Sequence, residues 1–274
     1  MLRKTAVFLL CAFFTLFSGL QGSLNAQEMP AQRIQAQHTQ AQHIQALIEL
    51  RDAVYDNTPI EAVETLAATL DSRLATGLSE AAQWQVPQQE KNLILSRKEY
   101  LRARAWNEAG DKKKAIAGFE SAIAFARASM VPEEHADGIY ALTKALSELC
   151  RLKDLAFLMA NGPKISPNAK KVLAMQPGHI GAMVILASAK AYPPGIFGGN
   201  PREAIAMLEP MLMSHAAKGV LGAEKDDLFD IQTCLGTAYA KLGDSKAARM
   251  HFASALELYP RNIYAREQLE NLGP

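Results

Sequence analysis

The chain has 274 residues, of which 49% are apolar and only 7% aromatic, with 29 basic against 28 acidic side chains. That length admits one elongated body or two compact domains, and a composition poor in aromatics with frequent Ala suits packed helices rather than a sheet sandwich. A formal charge of +1 lacks the basic footprint of a nucleic-acid binder, so no nucleic-acid partner is expected.

Residues Met1 to Ala26 read as a secretory signal: Arg3 and Lys4 form the positive region, Thr5 to Leu20 the apolar core, and Gln21 to Ala26 a polar end. The core falls short of the roughly 20 residues that a spanning helix needs. Leu24 is bulky where a small residue is preferred before the cut, so an uncleaved membrane anchor stays open as the alternative. The expected location is therefore periplasmic or otherwise exported. Cleavage would leave 27 basic against 28 acidic residues, a charge of −1. Of the three cysteines, Cys11 lies in this segment, while Cys150 and Cys234 fall inside predicted helices. Buried thiols are the preferred reading of that pair, with a disulfide as the alternative.

Residues 27–45 hold the pentads AQRIQ, AQHTQ and AQHIQ. A five-residue period builds no continuous apolar face on a helix, so this segment is expected to be a polar linker or a frayed helix. His38 and His43 would lie about 140° apart around a helix and would not share a metal.

From Ala46 to the end the apolar spacing is helical throughout, which predicts an all-α domain over 46–274. Leu47, Leu50 and Val54 mark a first helix, and Ile60, Val63, Leu66, Leu70 and Leu74 a second that ends at Gly77. Thr58-Pro59-Ile60-Glu61 between them has the order of a capping box. After Pro87 a long helix runs to Ala109, and Gly110-Asp111 separates it from another that ends near Ala128. Ile139, Leu142, Leu146 and Leu149 lie on the next helix, Leu155 and Leu158 on a short one, and Ser166-Pro167 caps a further short one.

Residues 179–192 are apolar almost throughout. They lead into Tyr192-Pro-Pro-Gly-Ile-Phe-Gly-Gly-Asn-Pro201, a loop longer than a hairpin turn, and Asn200 to Glu203 then cap another helix. Glycines before a helix can present N–H groups to an anion. However, no Gly-Lys-Ser/Thr follows, Pro201 lacks a donor, and a loop shaped to cross the hairpin end is the simpler reading. Tyr192 and Phe197 are candidates for a lid or wall. Asn262 to Leu272 predicts a single polar helix that caps the end.

Leu228 to Pro260 is the most regular stretch. Leu235-Gly236, Tyr239, Ala248, Phe252, Ala255 and Pro260 stand in an order that resembles the tetratricopeptide repeat (TPR), with Gly243-Asp244 as the turn. Partial repeats cover 96–130, where Trp106, Ala115, Phe119 and Ala122 match but Arg102-Ala103 replaces Leu-Gly, and 177–214. The resemblance implies an α-α superhelix, a solenoid of antiparallel hairpins whose first helices line a concave groove. Carried over position by position, the groove falls on Arg97, Tyr100, Arg104, Asn107 and Glu108, and on Asp230, Thr233, Thr237 and Lys241.

No catalytic set, cofactor motif or metal-type spacing is present: there is no HExxH, GxSxG or CxxC. The expectation is an exported, non-enzymatic scaffold that binds another protein or a peptide in its groove. The alternative comes from residues 90–214, whose hairpin order and Gly-Gly loop resemble periplasmic repeat proteins associated with TRAP-type solute transporters. That likeness implies a channel for a small apolar solute.

Overall fold

The computed structural model describes residues 29–76, 87–218 and 225–273, with side chains from 41 onward except Phe197 and 214–218. The signal segment 1–26, the Gly77 stop and the Gly219–Gly222 link lie outside the described residues. The chain divides into residues 1–39 and 40–274.

The described residues form α-helices, two 3-10 turns (Gly162–Lys164 and Gly195–Phe197) and no strand. The helices are α1 Met29–Tyr55, α2 Ile60–Thr76, α3 Gln88–Glu108, α4 Lys112–Ser129, α5 Ala136–Leu152 and α6 Leu155–Asn161. They continue with α7 Ile165–Met175, α8 Ile180–Ala191, α9 Pro201–Lys218, α10 Lys225–Lys241, α11 Ser245–Leu258 and α12 Ile263–Asn271. Of the two readings of the pentads, linker or helix, residues 29–45 adopt the helix. Ala and Gln are good helix formers even where no apolar face guides them.

Antiparallel hairpins packed neighbour on neighbour make up the fold. Helices α3/α4, α8/α9 and α10/α11 pair directly, and α5 pairs with α7 across the short α6. The turns form as their residues dictate. Gly110 and Gly243 take φ of 83° and 80°, while Asp111 and Asp244 accept from the N–H groups of Lys114 and Ala247. In the last hairpin Leu235 and Phe252 are fully buried, each burial worth about 1.5–3 kcal/mol relative to exposure. Gly236 lets the Phe252 ring approach: a Cβ there would lie 2.9 Å from it. At the matching position α3 carries Ala103, and Gly118 on α4 yields the space instead, with its Cβ position 2.9 Å from that of Ala103. The close contact survives the exchange because only one of the two helices has to be bare.

Leu155 and Leu158 lie on the short helix α6 as expected, yet they are 71% and 40% exposed. Helix α6 is too short to bury a full face, and its Phe157 alone packs on the core. Helix α7 begins at Ile165, one residue before the predicted Ser166 cap, because the 3-10 turn at Gly162–Lys164 leads straight into it.

Within residues 40–273 the last hairpin joins the first. Leu50, Val54, Tyr55, Val63 and Ala67 of α1 and α2 share one core with Phe229, Ala255, Tyr259 and Ala265. Helix α12 caps α11 as expected and in addition contributes Ala265 to that shared core.

Candidate ligand-binding recess

Four helices turn a polar face toward one another. On α3 the positions Arg97, Tyr100, Arg104 and Glu108 recur at spacings of three and four residues, the neighbours on one side of a helix. Tyr140, Lys144 and Glu148 do the same on α5. Helix α10 supplies Asp226, Asp227 and Asp230 in its first turns, and α1 supplies Arg51, Asp52 and Tyr55.

A network of charges connects them. Arg51 donates to Asp226 at 3.2 Å and to Asp52 at 2.7 Å, and Arg97 reaches the other Asp226 oxygen at 3.3 Å. The Tyr55 hydroxyl donates to Asp230 at 3.2 Å, while Lys144 lies 3.5 Å from the same carboxylate. Arg104 sits over the Tyr55 ring at 4.2 Å and pairs with Glu108 at 3.6 Å. The Lys144 ammonium stands 5.4 Å and 5.5 Å from the Tyr100 and Tyr140 ring centres. Tyr100 donates to Glu148 and Tyr259 to Asp52. Beneath these groups Tyr55, Phe229 and Tyr259 form a cluster of rings with centres 5.2–5.5 Å apart.

The three α10 carboxyls experience different fields. Burial alone would raise Asp226, but Arg97, then Lys144 and Arg51, outweigh it and hold the group below its ordinary range. Burial raises Asp230, with Lys144 and Arg104 opposing. Burial and then the adjacent Asp226 charge push Asp227 up to about 7. Burial also lifts the Tyr140 phenol to about 12.

Arg97 nevertheless keeps 48% of its side chain open to solvent, so the network reaches the surface at that edge. Among the described residues, Asp227 has no ion pair or hydrogen bond. No group of three or more His, Cys, Asp or Glu among them is placed to hold a metal.

Of the residues singled out in sequence, Arg97, Tyr100, Arg104, Glu108 and Asp230 meet here. Asn107 sits half-buried near the end of α3, where its carbonyl accepts from Gly110. Thr233 turns inward and bonds the Phe229 and Asp230 carbonyls. Thr237 shares a 3.1 Å hydrogen bond with Tyr264. Lys241 donates to the carbonyls of Tyr192 and Pro193 and so ties the 192–200 loop to α10. Tyr192 is 44% exposed at the start of that loop; the side chain of Phe197 lies outside the described residues. The last repeat thus places Asp230 in the recess and Thr237, Lys241 and Tyr192 in a second hydroxyl-rich patch.

Sequence reading missed Arg51, Tyr55, Tyr140, Lys144, Asp226 and Asp227. A signal existed for α5, because Tyr140, Lys144 and Glu148 recur every four residues beside the apolar stripe. Arg51 carried none, since one charge on an apolar helix reads as a solvated edge until its partner is known. His135 and His179 act as helix caps, accepting from the N–H groups of Gly138 and Ala182. His251 is buried against Gln232 at 2.7 Å because it faces α10 across the hairpin. Cys150 and Cys234 are free, buried thiols, with burial raising that of Cys234 to about 12.

Neither a protein-family model nor a curated protein matches the chain. Among solved structures it is similar to a thermophilic TPR protein of Thermus thermophilus, at 18% identity and a TM-score of 0.46, covering 84% of this chain and 98% of that one. No helix among the described residues is long and apolar enough to cross a membrane.

Proposed function

We propose that this chain is an exported binding scaffold that takes a polar segment of another protein, or a peptide, into the recess between α1, α3, α5 and α10. The observation that carries the reading is the inward-facing ion network around Asp226 and Asp230, with Arg97 half exposed at its edge. Buried ion pairs contribute little net stability over an apolar core of the same volume. A fold that needed only stability could have placed apolar side chains there, as it did with Ala115, Phe119 and Ala122 of α4 and Phe252 of α11. Charged groups and tyrosine faces, in contrast, suit recognition of a partner that brings its own charges.

A second reading, a solute-binding accessory, is favoured by the core shared between the first and last hairpins, which narrows the access for a bulky partner. The charged walls suit a polar solute rather than the apolar one implied by the family likeness.

The test is capture from the native envelope by the wild-type chain and by Arg97→Gln, Tyr140→Phe and the outer-face variant Lys170→Glu, with proteins and small molecules identified by mass spectrometry. Loss of the same molecules in the first two variants and retention in the third supports the recess. An identical captured set in all four sinks it.

A further inference from the structure

We propose that the groove between α3 and α4 beside Trp106 binds a small ligand that carries a carboxylate next to an aromatic ring. Trp106 takes the ring and Lys114 the anion. This site is distinct from the recess between α1, α3, α5 and α10.

The groove has a volume of about 270 Å³ and is lined by Glu99, Arg102 and Trp106 of α3 and by Lys114, Ala117 and Ser121 of α4. That size stands at the small end for ligand sites and suits a single ring system. Its floor is bare because Ala103 and Gly118 bring the two helices together with no longer side chain between them. On α3 the lining positions lie roughly 150° around the helix from Arg97, Tyr100 and Arg104, so the groove opens away from the recess.

The indole is held in place before any ligand arrives. Its N–H donates to Glu64 at 2.7 Å, and Arg102 grips the same carboxylate at 2.7 Å and that of Glu99 at 3.0 Å. Lys98 reaches Glu99 at 3.0 Å as well. Both acids are thus answered, and neither is left to repel an incoming anion. Trp106 remains only partly buried, an aromatic wall fixed in one orientation, which lowers the ordering cost of binding.

Lys114 supplies the charge. Its ammonium stands 3.6 Å from the centre of the Trp106 ring, and 56% of its side chain is exposed. Among the described residues its ion pair is with Asp111, at 3.5 Å. An ammonium has three donors, and a pair so long at the surface is weak. The ring needs no cation from a ligand, because Lys114 already provides one; what ring and ammonium together lack is an anion. A carboxylate that meets this ammonium necessarily lies beside the indole, and a ring attached to it rests on Trp106 and the bare floor. The half-buried Ser121 hydroxyl, without a hydrogen bond among the described residues, offers a further donor there. The backbone N–H of Lys114 is not the seat, since Asp111 already accepts from it.

Such a ligand is either a free aromatic acid or the C-terminal aromatic residue of a peptide. Calorimetry with the full chain separates the two sources. The probes are phenylacetate and acetyl-glycyl-phenylalanine, each beside its neutral amide, with hexanoate as the acid that has no ring. Tighter binding of phenylacetate assigns the free acid, and tighter binding of the dipeptide assigns the C-terminus. For the tighter probe, Lys114→Gln weakens affinity about tenfold, the loss expected for one charge-assisted hydrogen bond. Its amide binds the wild type equally weakly and loses nothing further in Lys114→Gln. Ala117→Leu fills the groove from an exposed helix position, so it abolishes binding while the melting temperature stays close to that of the wild type.

The amides leave the protein untouched, so a folding defect cannot imitate the result. Failure of every probe to bind, wild-type affinity in either Lys114→Gln or Ala117→Leu, or equal affinity for hexanoate and phenylacetate overturns the proposal. Loss of binding in Arg97→Gln with both groove variants unaffected places the probe in the recess and overturns it equally.

Discussion

The side-chain amide of Asn262 donates to the backbone carbonyl of Tyr55 at 2.7 Å, joining positions 207 residues apart. The same side chain caps α12 by accepting from Ala265 at 3.0 Å. Both bonds are buried, and together they fasten the last helix onto the first hairpin.

Asn262→Ala therefore removes a helix cap and strands a buried carbonyl. The expected cost is about 2–3 kcal/mol, read as a lower urea midpoint with an unchanged slope. Arg261 makes its 2.7 Å pair with Asp56 at the exposed surface next door. Arg261→Ala should cost under about 1 kcal/mol. Equal effects for the two would show that the buried bond has no special weight.

Gly236→Ala places a methyl group 2.9 Å from the Phe252 ring, which is fully buried and cannot retreat. Overpacking of that kind costs about 1–3 kcal/mol. In a Phe252→Leu background the same substitution should cost clearly less, since the smaller side chain yields the space. Thermal melts of the four chains give the coupling directly; strict additivity would mean that the two residues do not meet.

Asp227 gives stability a pH dependence of definite sign. Its folded value of about 7 lies above the ordinary carboxylate range, so between roughly pH 4 and 7 the folded state holds more protons than the unfolded one. Its contribution is intact at low pH and lost as pH rises through the folded value. Asp227→Asn should match wild type near pH 4 and become the more stable chain at about pH 8. Asp226, held below its ordinary range, acts in the opposite sense, adding stability that is lost as pH falls. Asp226→Asn should therefore be the less stable chain near neutrality and converge on wild type in acid. Urea unfolding across that pH range checks both directions.

Lys241 anchors the loop after α8 through the Tyr192 and Pro193 carbonyls, and Asn200 returns its N–H to the Lys190 carbonyl at 2.8 Å. Lys241→Ala removes only the first tie. Proteolytic nicking between Pro194 and Gly199 should accelerate severalfold while the melting temperature stays nearly constant, because opening this loop exposes no core residue. A large drop in melting temperature instead would mean that the tie supports the hairpin itself.

Sequence reading performed best where structure is local. Asn200 was legible as a cap because a cap and its partner lie within one turn. The hairpin of α10 and α11 was legible because its two stripes are joined by a two-residue turn that fixes their register. That Leu155 and Leu158 stay exposed was not legible, because apolar spacing says that a face exists, not that a neighbour is there to cover it. Nor was the burial of His251 legible, for the same reason in reverse.

By itself, the sequence determined the helices, most of their ends, the order of hairpins and the apolar side of each. Those features depend on helical periodicity and on capping within a few residues. Only the tertiary structure decided that Arg51 meets Asp226 across 175 positions and that Tyr55 meets Asn262. Those encounters depend on the rotation accumulated from one hairpin to the next. No single helix encodes that rotation, because it is the sum of many packing contacts.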